Sequence, residues 1–223
     1  MPAARPLPNA ARRGERVIDF CAGAGGKTLA LAARMRNQGQ VLAFDTDEAR
    51  LSRLGPRLKR AGVDIVTQMR LKDSHDARLA RYQGWADLVL VDAPCSGSGT
   101  LRRHPEIAWS LDSTAALGTL PTLQLQILSA ASSRVALGGS LVYSTCSPLV
   151  SEDESVVRAF LASPAGQGFS VVPVASAPGL SNAGATAARL VAESMSAEGF
   201  FVARQLPGSH DAHFCARLVR KGE

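Results

Sequence analysis

The sequence predicts an α/β protein in which a mostly parallel sheet is flanked by helices and ends in an antiparallel hairpin. Short apolar segments such as Leu88–Val91 have no polar alternation, which is typical of strands buried on both faces of a sheet. The first apolar segment runs into a glycine-rich turn and then a helix, which is the beginning of a βαβ unit. Near the end of the chain, segments 200–204 and 213–220 are joined by a polar turn with Pro and Gly, which indicates an antiparallel pair.

Size and composition limit the classes of protein that the chain can belong to. Its 223 residues suffice for one α/β domain, and 46% hydrophobic with 20% charged residues indicate a globular protein. No apolar run approaches the ~20 residues of a membrane span, and no secretory signal is visible at the N-terminus. The net charge of +6 and the pI near 9.6 favour a polyanionic partner such as nucleic acid.

The cysteines predict the redox compartment. The four of them are scattered and form no Cys-x-x-Cys pair, so neither a disulfide scaffold nor a zinc site is expected. Reduced thiols are typical of the cytosol, and we therefore expect a cytoplasmic protein without a bound metal. Their positions are Cys21, Cys95, Cys146 and Cys215.

Periodicity and turn residues predict the elements of the first half. Residues 47–61 carry leucines on one side and arginines on another, which indicates an amphipathic helix whose charged face is more simply solvated than bound to phosphate. The other segments follow the same patterns. In order, the predicted elements are strand 16–21, helix 27–37, strand 40–44, helix 47–61, strand 64–67 and strand 88–91.

The second half is predicted from the same patterns. Ser151 and Glu154 match a capping box, which would begin a helix that ends near Leu161. An Ala-, Ser- and Gly-rich insertion is expected over 175–198, with at most one short helix near 186–193. The remaining predicted elements are helix 121–136, a strand from Leu141 towards Cys146, and strand 169–174.

The turn from Cys21 to Thr28 favours a nucleoside-bearing cofactor. Its glycines let the backbone approach a ligand, and the helix that follows offers free N–H groups. A Walker phosphate loop is excluded because it would need glycine at Cys21, and the dinucleotide motif G-x-G-x-x-G would need glycine at Thr28. Asp45 lies 19 residues after Gly26, near the offset at which an acid binds ribose hydroxyls. An ordinary tight turn remains the alternative.

Further polar residues follow the predicted strands. Asp73 lies beyond the third strand, where it would recognise adenine or cap a helix. Asp92 and Cys95 come directly after a buried strand, at the edge where open α/β sheets bind ligands. Cys146 has the same setting after the next strand along the chain, so we expect both thiols on one rim of the sheet. A satisfied loop aspartate and a buried apolar cysteine are the alternative.

These motifs together resemble the RNA 5-methylcytosine methyltransferases of the NOL/NOP/Sun type. The resemblance covers roughly residues 15–220 and depends on the turn at 21–28, Asp92-Ala-Pro-Cys95 with Arg102-Arg-His-Pro105, and Tyr143-Ser-Thr-Cys-Ser147 with Glu152 and Glu154. Residues 211–218 are similar to a further, altered family motif. The resemblance implies a Rossmann-like class I methyltransferase fold with a seven-stranded sheet, and S-adenosylmethionine as cofactor. The catalytic domain would then span residues 15–223.

The resemblance also implies roles for individual residues. Cys146 would be the nucleophile that adds to cytosine C6, Cys95 would assist release of the product, and Asp92 would serve both cofactor and cytosine. The residues alone leave the order of the two cysteines open, because the Pro-Cys cysteine is the nucleophile in the DNA enzymes. The implied cofactor-binding residues are Cys21, Ala22, Gly23, Ala24, Gly25, Gly26, Lys27, Asp45, Asp73 and Asp92.

The implied substrate is a cytosine in RNA, with rRNA favoured over tRNA. Arg102, Arg103 and His104 would contact the phosphates that flank the target base, although a generic basic surface is the alternative. Family members usually carry an RNA-contacting segment before the cofactor turn, so residues 1–14 are predicted to be a tail or the remnant of one. We expect a monomer that needs a separate RNA-binding partner. A non-catalytic RNA-binding or assembly protein with the same fold is the alternative function.

Overall fold

The computed structural model describes residues 11–110, 114–177, 185–204 and 210–222. Its strands are β1 (Arg16–Asp19), β2 (Gln40–Asp45), β3 (Val66–Arg70), β4 (Ala86–Asp92), β5 (Val135–Thr145), β6 (Phe169–Val171), β7 (Phe201–Ala203) and β8 (His213–Arg220). Its helices are α1 (Gly26–Arg34), α2 (Glu48–Ser52), α3 (Leu54–Ala61), α4 (Ile107–Ser110), α5 (Thr114–Ser132), α6 (Glu154–Ala162) and α7 (Ala185–Glu193).

All the strands belong to one mixed sheet, in the order β3-β2-β1-β4-β5-β8-β6. The first five strands in this order, β3 to β5, are parallel to one another. Strand β8 is antiparallel to β5, β6 and β7. The predicted class of fold and the C-terminal hairpin of β7 and β8 are therefore confirmed. Within the described residues the sheet holds eight strands and not the expected seven, because β6 and β7 occupy successive stretches of the β8 edge that β5 leaves open. The hairpin turn at 205–209 lies outside the described residues.

The central strand β4 is buried on both faces, as its composition predicts. Leu88 and Leu90 belong to the apolar cluster that contains Leu31 of α1, and Val89 and Val91 belong to the one that contains Leu128 of α5. None of these four β4 side chains is more than 3% exposed. Helices therefore cover both faces of the sheet, and only its edges and strand ends are free to form a site.

The predicted helix over 47–61 is wrong, because two helices occupy this segment. Helix α2 begins at Glu48 and is capped by Asp47, whose side chain accepts a hydrogen bond from the Arg50 N–H. Pro56 has no N–H group for the carbonyl of Ser52, so a continuous ladder of hydrogen bonds is impossible here. The chain therefore ends α2 at Ser52 and begins α3 at Leu54.

The helix predicted over 121–136 is shifted in the structure. Helix α5 runs from Thr114 to Ser132 and contains Pro121 inside it. It ends where Arg134 N–H bonds to Ala131 O and the hydroxyls of two serines fold back on the last turn. Val135 and Ala136, which continue the apolar pattern of the helix, instead begin β5 and pair with β4.

The predicted capping box at Ser151 is also wrong. Helix α6 begins at Glu154, and residues 151–153 form a turn in front of it. The side chains of Glu152 and Asp153 are buried, with 0% and 2% exposure, and point away from the helix end towards other loops. The pattern of Ser151 and Glu154 matched a helix cap, whereas the two acids between them bind Ser96 and Thr145.

The remaining elements agree with prediction within a few residues. Strand β6 is shorter than the expected 169–174, because Pro173 ends it and a 3₁₀ turn follows over Val174–Ser176. The short helix expected near 186–193 is α7. Part of the predicted insertion, 178–184, and residues 1–10 of the predicted tail lie outside the described residues. Ala11 is buried in the same apolar cluster as Met35, the residue that follows α1.

Candidate active site

One large pocket opens at the carboxyl ends of the parallel strands, where the strand order reverses between β1 and β4. Its volume is about 1220 Å³. Most of the residues singled out in the sequence line it, including both cysteines of the predicted rim. The lining includes Cys21, Ala22, Gly23, Ala24, Gly26, Lys27, Asp45, Asp73, Asp92, Cys95 and Cys146. Gly25 and the basic residues 102–104 are not among the lining residues.

The glycine turn after β1 is held in place by Asp45 at the end of β2. The Gly23 N–H donates to Asp45 Oδ2 at 2.6 Å, and the Asp47 N–H donates to Asp45 Oδ1 at 2.8 Å. Each carboxylate oxygen retains a lone pair, so Asp45 can still accept hydrogen bonds from a diol. Gly23 has φ +53°, which a residue with a side chain rarely adopts.

Gly25 is required by its surroundings and not by the pocket. Its φ is +83°, and a Cβ atom there would lie 2.1 Å from Leu54 Cδ1. Gly26, one residue later, has no atom within 4 Å of the position of a Cβ and lines the pocket as the first residue of α1. The open space beside Gly26 is where a ligand can approach the N–H groups of the helix.

Asp73 lines the same pocket from the loop after β3. Its Oδ1 accepts the His75 N–H at 2.8 Å. The alternative role of Asp73 as a helix cap is not found: Asp76 caps the 3₁₀ turn at Ala77–Tyr82 by accepting the Arg78 N–H. Asp73 therefore shapes the loop at the pocket wall.

Asp92 forms an ion pair with Lys27, which links the end of β4 to the first turn of α1. Lys27 Nζ bonds to Asp92 Oδ2, and both side chains are about two-thirds or more buried, with 25% and 32% exposure. The cation keeps the Asp92 carboxylate at the pocket wall. The sequence placed both residues at the site but not in contact with each other.

Asp19, in the last position of β1, is a buried acid that the sequence analysis missed. Its Oδ2 accepts the Thr28 hydroxyl at 2.7 Å, and its Oδ1 has no hydrogen-bond partner among the described residues. Burial raises the pKa of Asp19 to about 7, with the Thr28 bond opposing that rise. The acid at the end of an apolar strand, nine residues before a threonine in the turn, was the available signal.

The two predicted cysteines meet at the mouth of the pocket. Strands β4 and β5 are neighbours, with Asp92 opposite Ser144, so the loops after them lie side by side. Cys95 Sγ and Cys146 Sγ are 3.2 Å apart, and neither sulfur is in a disulfide bond. The hydrogen bond with Cys146 and burial raise the pKa of the Cys95 thiol far above its usual range, so Cys95 is protonated at neutral pH.

One lining residue comes from the antiparallel part of the sheet. His213, the first residue of β8, lies at the pocket, and its Nε2 is 3.1 Å from Ser144 Oγ. His213 was not predicted as a site residue, because residues 211–218 were interpreted only in terms of the packing of the hairpin. Strand β8 reaches the site because it pairs antiparallel with β5 and begins beside the end of β5 that precedes Cys146.

The basic residues predicted to contact RNA lie on the loop that follows Cys95. Arg103 is ion-paired with Asp211, with Nε 2.7 Å from Oδ2, and Arg102 approaches the same carboxylate at 3.6 Å. His104 Nδ1 is 3.1 Å from Glu106 Oε1. All three basic side chains are about half exposed. They are accessible, but the loop already uses Arg103 to hold the segment before β8.

The described parts of the chain hold neither a metal site nor a membrane-spanning helix. Within those ranges, no group of three or more His, Cys, Asp and Glu residues is arranged to hold a metal ion. No described helix is long and apolar enough to cross a membrane.

Known proteins are similar to this chain in both sequence and fold. A family model described as 16S rRNA methyltransferase RsmB/F matches residues 9–206. Ribosomal RNA small subunit methyltransferase B of Escherichia coli is 41% identical over 154 residues, which are 68% of this chain and 34% of that protein. The chain thus spans about a third of the length of the curated relatives that it matches.

Solved structures from Pyrococcus horikoshii confirm the architecture. NSun6, solved with SFG, superimposes with a TM-score of 0.72 at 25% identity, covering 94% of this chain and 48% of that one. A methyltransferase homologue gives a TM-score of 0.72 at 28% identity, covering 95% of this chain and 63% of that one. The Rossmann-like methyltransferase fold expected from the sequence is therefore the observed fold.

Proposed function

Because this chain belongs to the 16S rRNA methyltransferase RsmB/F family, we propose that it methylates carbon 5 of a cytosine in small-subunit ribosomal RNA, with S-adenosylmethionine as methyl donor. The observation that most supports this reaction is the 3.2 Å separation of two cysteine sulfurs, neither of them in a disulfide bond, at the mouth of a pocket that the glycine turn also lines. Cytosine-C5 methylation needs one sulfur that adds to C6 of the base. A second thiol beside it can help that sulfur leave.

The pocket has the groups and the space that this cofactor needs. Asp45 retains lone pairs that would accept from the two ribose hydroxyls. Asp73, on the pocket wall, would recognise adenine, and the open space beside Gly26 would admit the methionine part. A volume of 1220 Å³ exceeds the roughly 300–1,000 Å³ of a single small-molecule site, so a nucleobase fits as well. When bound, S-adenosylmethionine supplies an electrophilic methyl group on a positively charged sulfur.

Cys146 carries out the first step on the base. Its thiolate forms a bond to cytosine C6, and the electron pair of the C5–C6 double bond makes C5 nucleophilic. Asp92, held by Lys27, accepts hydrogen bonds from the exocyclic amine of the cytosine and from the amino group of the cofactor. The base must leave its stack to reach this pocket, which RNA loops and bulges allow most readily.

Cys95 acts when the product is released. Solvent takes the C5 proton, the C5–H electron pair forms the C5–C6 double bond, and the C6–Sγ bond breaks with its electrons on Cys146. The protonated Cys95 thiol donates a hydrogen bond to that leaving sulfur from 3.2 Å. Arg102, Arg103 and His104 contact the flanking phosphates from the next loop, and residues 15–223 form the catalytic domain.

Methyl transfer from labelled S-adenosylmethionine to small-subunit rRNA tests the proposal. We expect C5 labelling by the wild type and none by Cys146→Ala, because the nucleophile is lost. Cys95→Ala is expected to accumulate a covalent RNA–protein complex that survives a denaturing gel. Cys215→Ala is the matched control, since Cys215 is a free thiol in β8 outside the pocket lining.

Three results would contradict the proposal. Undiminished C5 labelling by Cys146→Ala would exclude Cys146 as nucleophile. Labelling of tRNA with no labelling of rRNA would exclude ribosomal RNA as the substrate. RNA binding without S-adenosylmethionine binding in calorimetry would favour a non-catalytic RNA-binding protein.

A further inference from the structure

A buried carboxylate, Glu152, lies under the loop that carries Cys95. Its side chain is 0% exposed in the turn before α6. The Ser96 N–H donates to Glu152 Oε1 at 2.8 Å, and the Ser96 hydroxyl donates to Oε2 at 2.6 Å. Both bonds therefore go to the residue that directly follows Cys95.

Gln124 of α5 completes the support from the other side of Cys95. Its side chain is 0% exposed, and its amide group donates to Glu152 Oε1 at 3.1 Å and to Pro94 O at 2.9 Å. Glu152 and Gln124 together thus fix the residues immediately before and after Cys95. These bonds join positions 28 to 56 residues apart in sequence, so local structure does not require them.

The neighbouring Asp153 supports the other cysteine in a parallel way. Its side chain is 2% exposed, and its Oδ1 accepts the hydroxyl of Thr145, the residue before Cys146. Glu152 O also accepts the Tyr143 hydroxyl at 2.6 Å. Two consecutive residues of one turn therefore reach both cysteine loops, Glu152 through its side chain to the Cys95 loop and Asp153 to the Cys146 loop.

Stability alone does not explain these buried acids. Removing a carboxylate from water is costly, and apolar side chains of similar volume often serve a core as well or better. The donors to Glu152 are a backbone N–H, a hydroxyl and an amide. Their directional hydrogen bonds fix the position of the loop that carries Cys95, which an apolar side chain would not do. A reacting group held by such bonds keeps the geometry that its chemistry needs.

We propose that Glu152, with Gln124 as its partner, is a positioning residue that holds Cys95 Sγ against Cys146 Sγ and so controls release of the covalent RNA adduct and not its formation. The inference rests on the proposed function, in which Cys95 acts only at release. Glu152 binds both neighbours of the release cysteine directly or through Gln124, whereas the nucleophile is supported by Asp153.

Glu152→Ala and Glu152→Gln test the inference, with Cys95→Ala as reference. Glu152→Ala removes the acceptors of Ser96, so we expect adduct accumulation as in Cys95→Ala and multiple-turnover methylation lowered by about 10- to 100-fold. Single-turnover methyl transfer and S-adenosylmethionine affinity should match those of the wild type. Glu152→Gln should retain release of the methylated RNA, because its amide oxygen still accepts from the Ser96 N–H and its NH₂ group faces the Ser96 hydroxyl.

Further variants keep the inference testable if Glu152→Ala does not fold. Gln124→Ala, which frees Pro94 O, should accumulate the same adduct. Glu154→Gln is the matched control: it removes a neighbouring acid whose side chain, in the described parts of the chain, has no hydrogen bond to either cysteine loop, and it should release RNA normally.

The outcomes separate this inference from the proposed function. Glu152→Ala or Gln124→Ala could lose single-turnover and multiple-turnover rates equally and form no adduct. If Cys95→Ala still accumulates adduct, that result would overturn the positioning role and leave the proposed function intact. Absence of adduct in Cys95→Ala itself would overturn the proposed function instead.

Discussion

Asp19 illustrates, at the scale of one residue, how the cofactor turn is stabilised at a cost. Its hydrogen bond to Thr28 ties the end of β1 to the first turn of α1, but the carboxyl group is fully buried. Burial raises its pKa from 3.8 to about 7, so the native state favours the protonated form. The contribution of Asp19 to stability is therefore fully present below about pH 4 and is lost as the pH rises through 7.

Asp19→Asn should remove this pH dependence. Asparagine keeps an acceptor for the Thr28 hydroxyl and carries no charge at any pH. The free energy of unfolding of the variant relative to the wild type should rise between pH 4 and pH 8, by up to about 4 kcal/mol. Chemical denaturation of both proteins across this range is the measurement, and parallel stability curves would contradict the account.

Residue-scale prediction from sequence succeeded where the chemistry is visible in the chain and failed where partners are distant. Cys95 and Cys146 could be placed on one rim because each follows an apolar strand. Glu152 was predicted only as part of a family motif and was given no role of its own, since only the fold reveals that its partners are Ser96 and Gln124. The ion pair of Arg103 with Asp211 spans 108 residues and was likewise invisible.

At the scale of elements, the glycine turn has two adjacent glycines with different tasks. Gly25 faces Leu54 of α3 with a left-handed backbone, and Gly26 faces the pocket with open space. The turn is therefore constrained by packing at Gly25 and is open to the pocket at Gly26, where we propose that the ligand approaches.

Alanine at each position should separate the two tasks. Gly25→Ala is expected to lower the free energy of unfolding by about 1–3 kcal/mol, through strain and the clash with Leu54. Gly26→Ala should leave stability unchanged or slightly higher but weaken S-adenosylmethionine binding, because its methyl group fills the approach to the helix N–H groups. Thermal melting and calorimetry measure the two effects. Normal cofactor affinity in Gly26→Ala would contradict the proposed cradle.

The loop after Cys95 allows a similar comparison of two arginines. Arg103 is bound tightly to Asp211, and Arg102 only loosely. Arg102→Ala should weaken RNA binding without loss of stability. The slope of the logarithm of RNA affinity against the logarithm of salt concentration should fall by about the amount of one phosphate contact. Arg103→Ala should also lower the melting temperature, because it leaves the buried Asp211 carboxylate without this guanidinium. RNA affinities of Arg102→Ala that equal those of the wild type at low salt would exclude Arg102 as a phosphate contact.

Element boundaries were predicted less well than element types, for identifiable reasons. The apolar pattern of α5 continues without a break into β5, so periodicity could not locate the turn at Arg134. The break between α2 and α3 was encoded by Pro56, but the leucine pattern across it suggested one helix. Short strand β7 joined a sheet that seven strands already spanned.

At the scale of the whole molecule, the sheet order explains why distant motifs share one pocket. The reversal between β1 and β4 brings the cofactor turn beside the loop of Asp92 and Cys95, and the next neighbour, β5, adds Cys146. This arrangement followed from the buried parallel strands and could be predicted. The network behind the cysteines could not, because it depends on side chains from α5 and from the turn before α6.

Trapping with RNA that carries 5-fluorocytidine at the target site tests the central claim most directly. Fluorine in place of the C5 hydrogen prevents the elimination that frees the enzyme, so the covalent adduct persists. Trypsin separates the two cysteines into peptides 82–102 and 135–158. The account predicts, by mass spectrometry, a nucleotide attached to Cys146 in peptide 135–158. A nucleotide on Cys95, or methyl transfer with neither peptide modified, would contradict it.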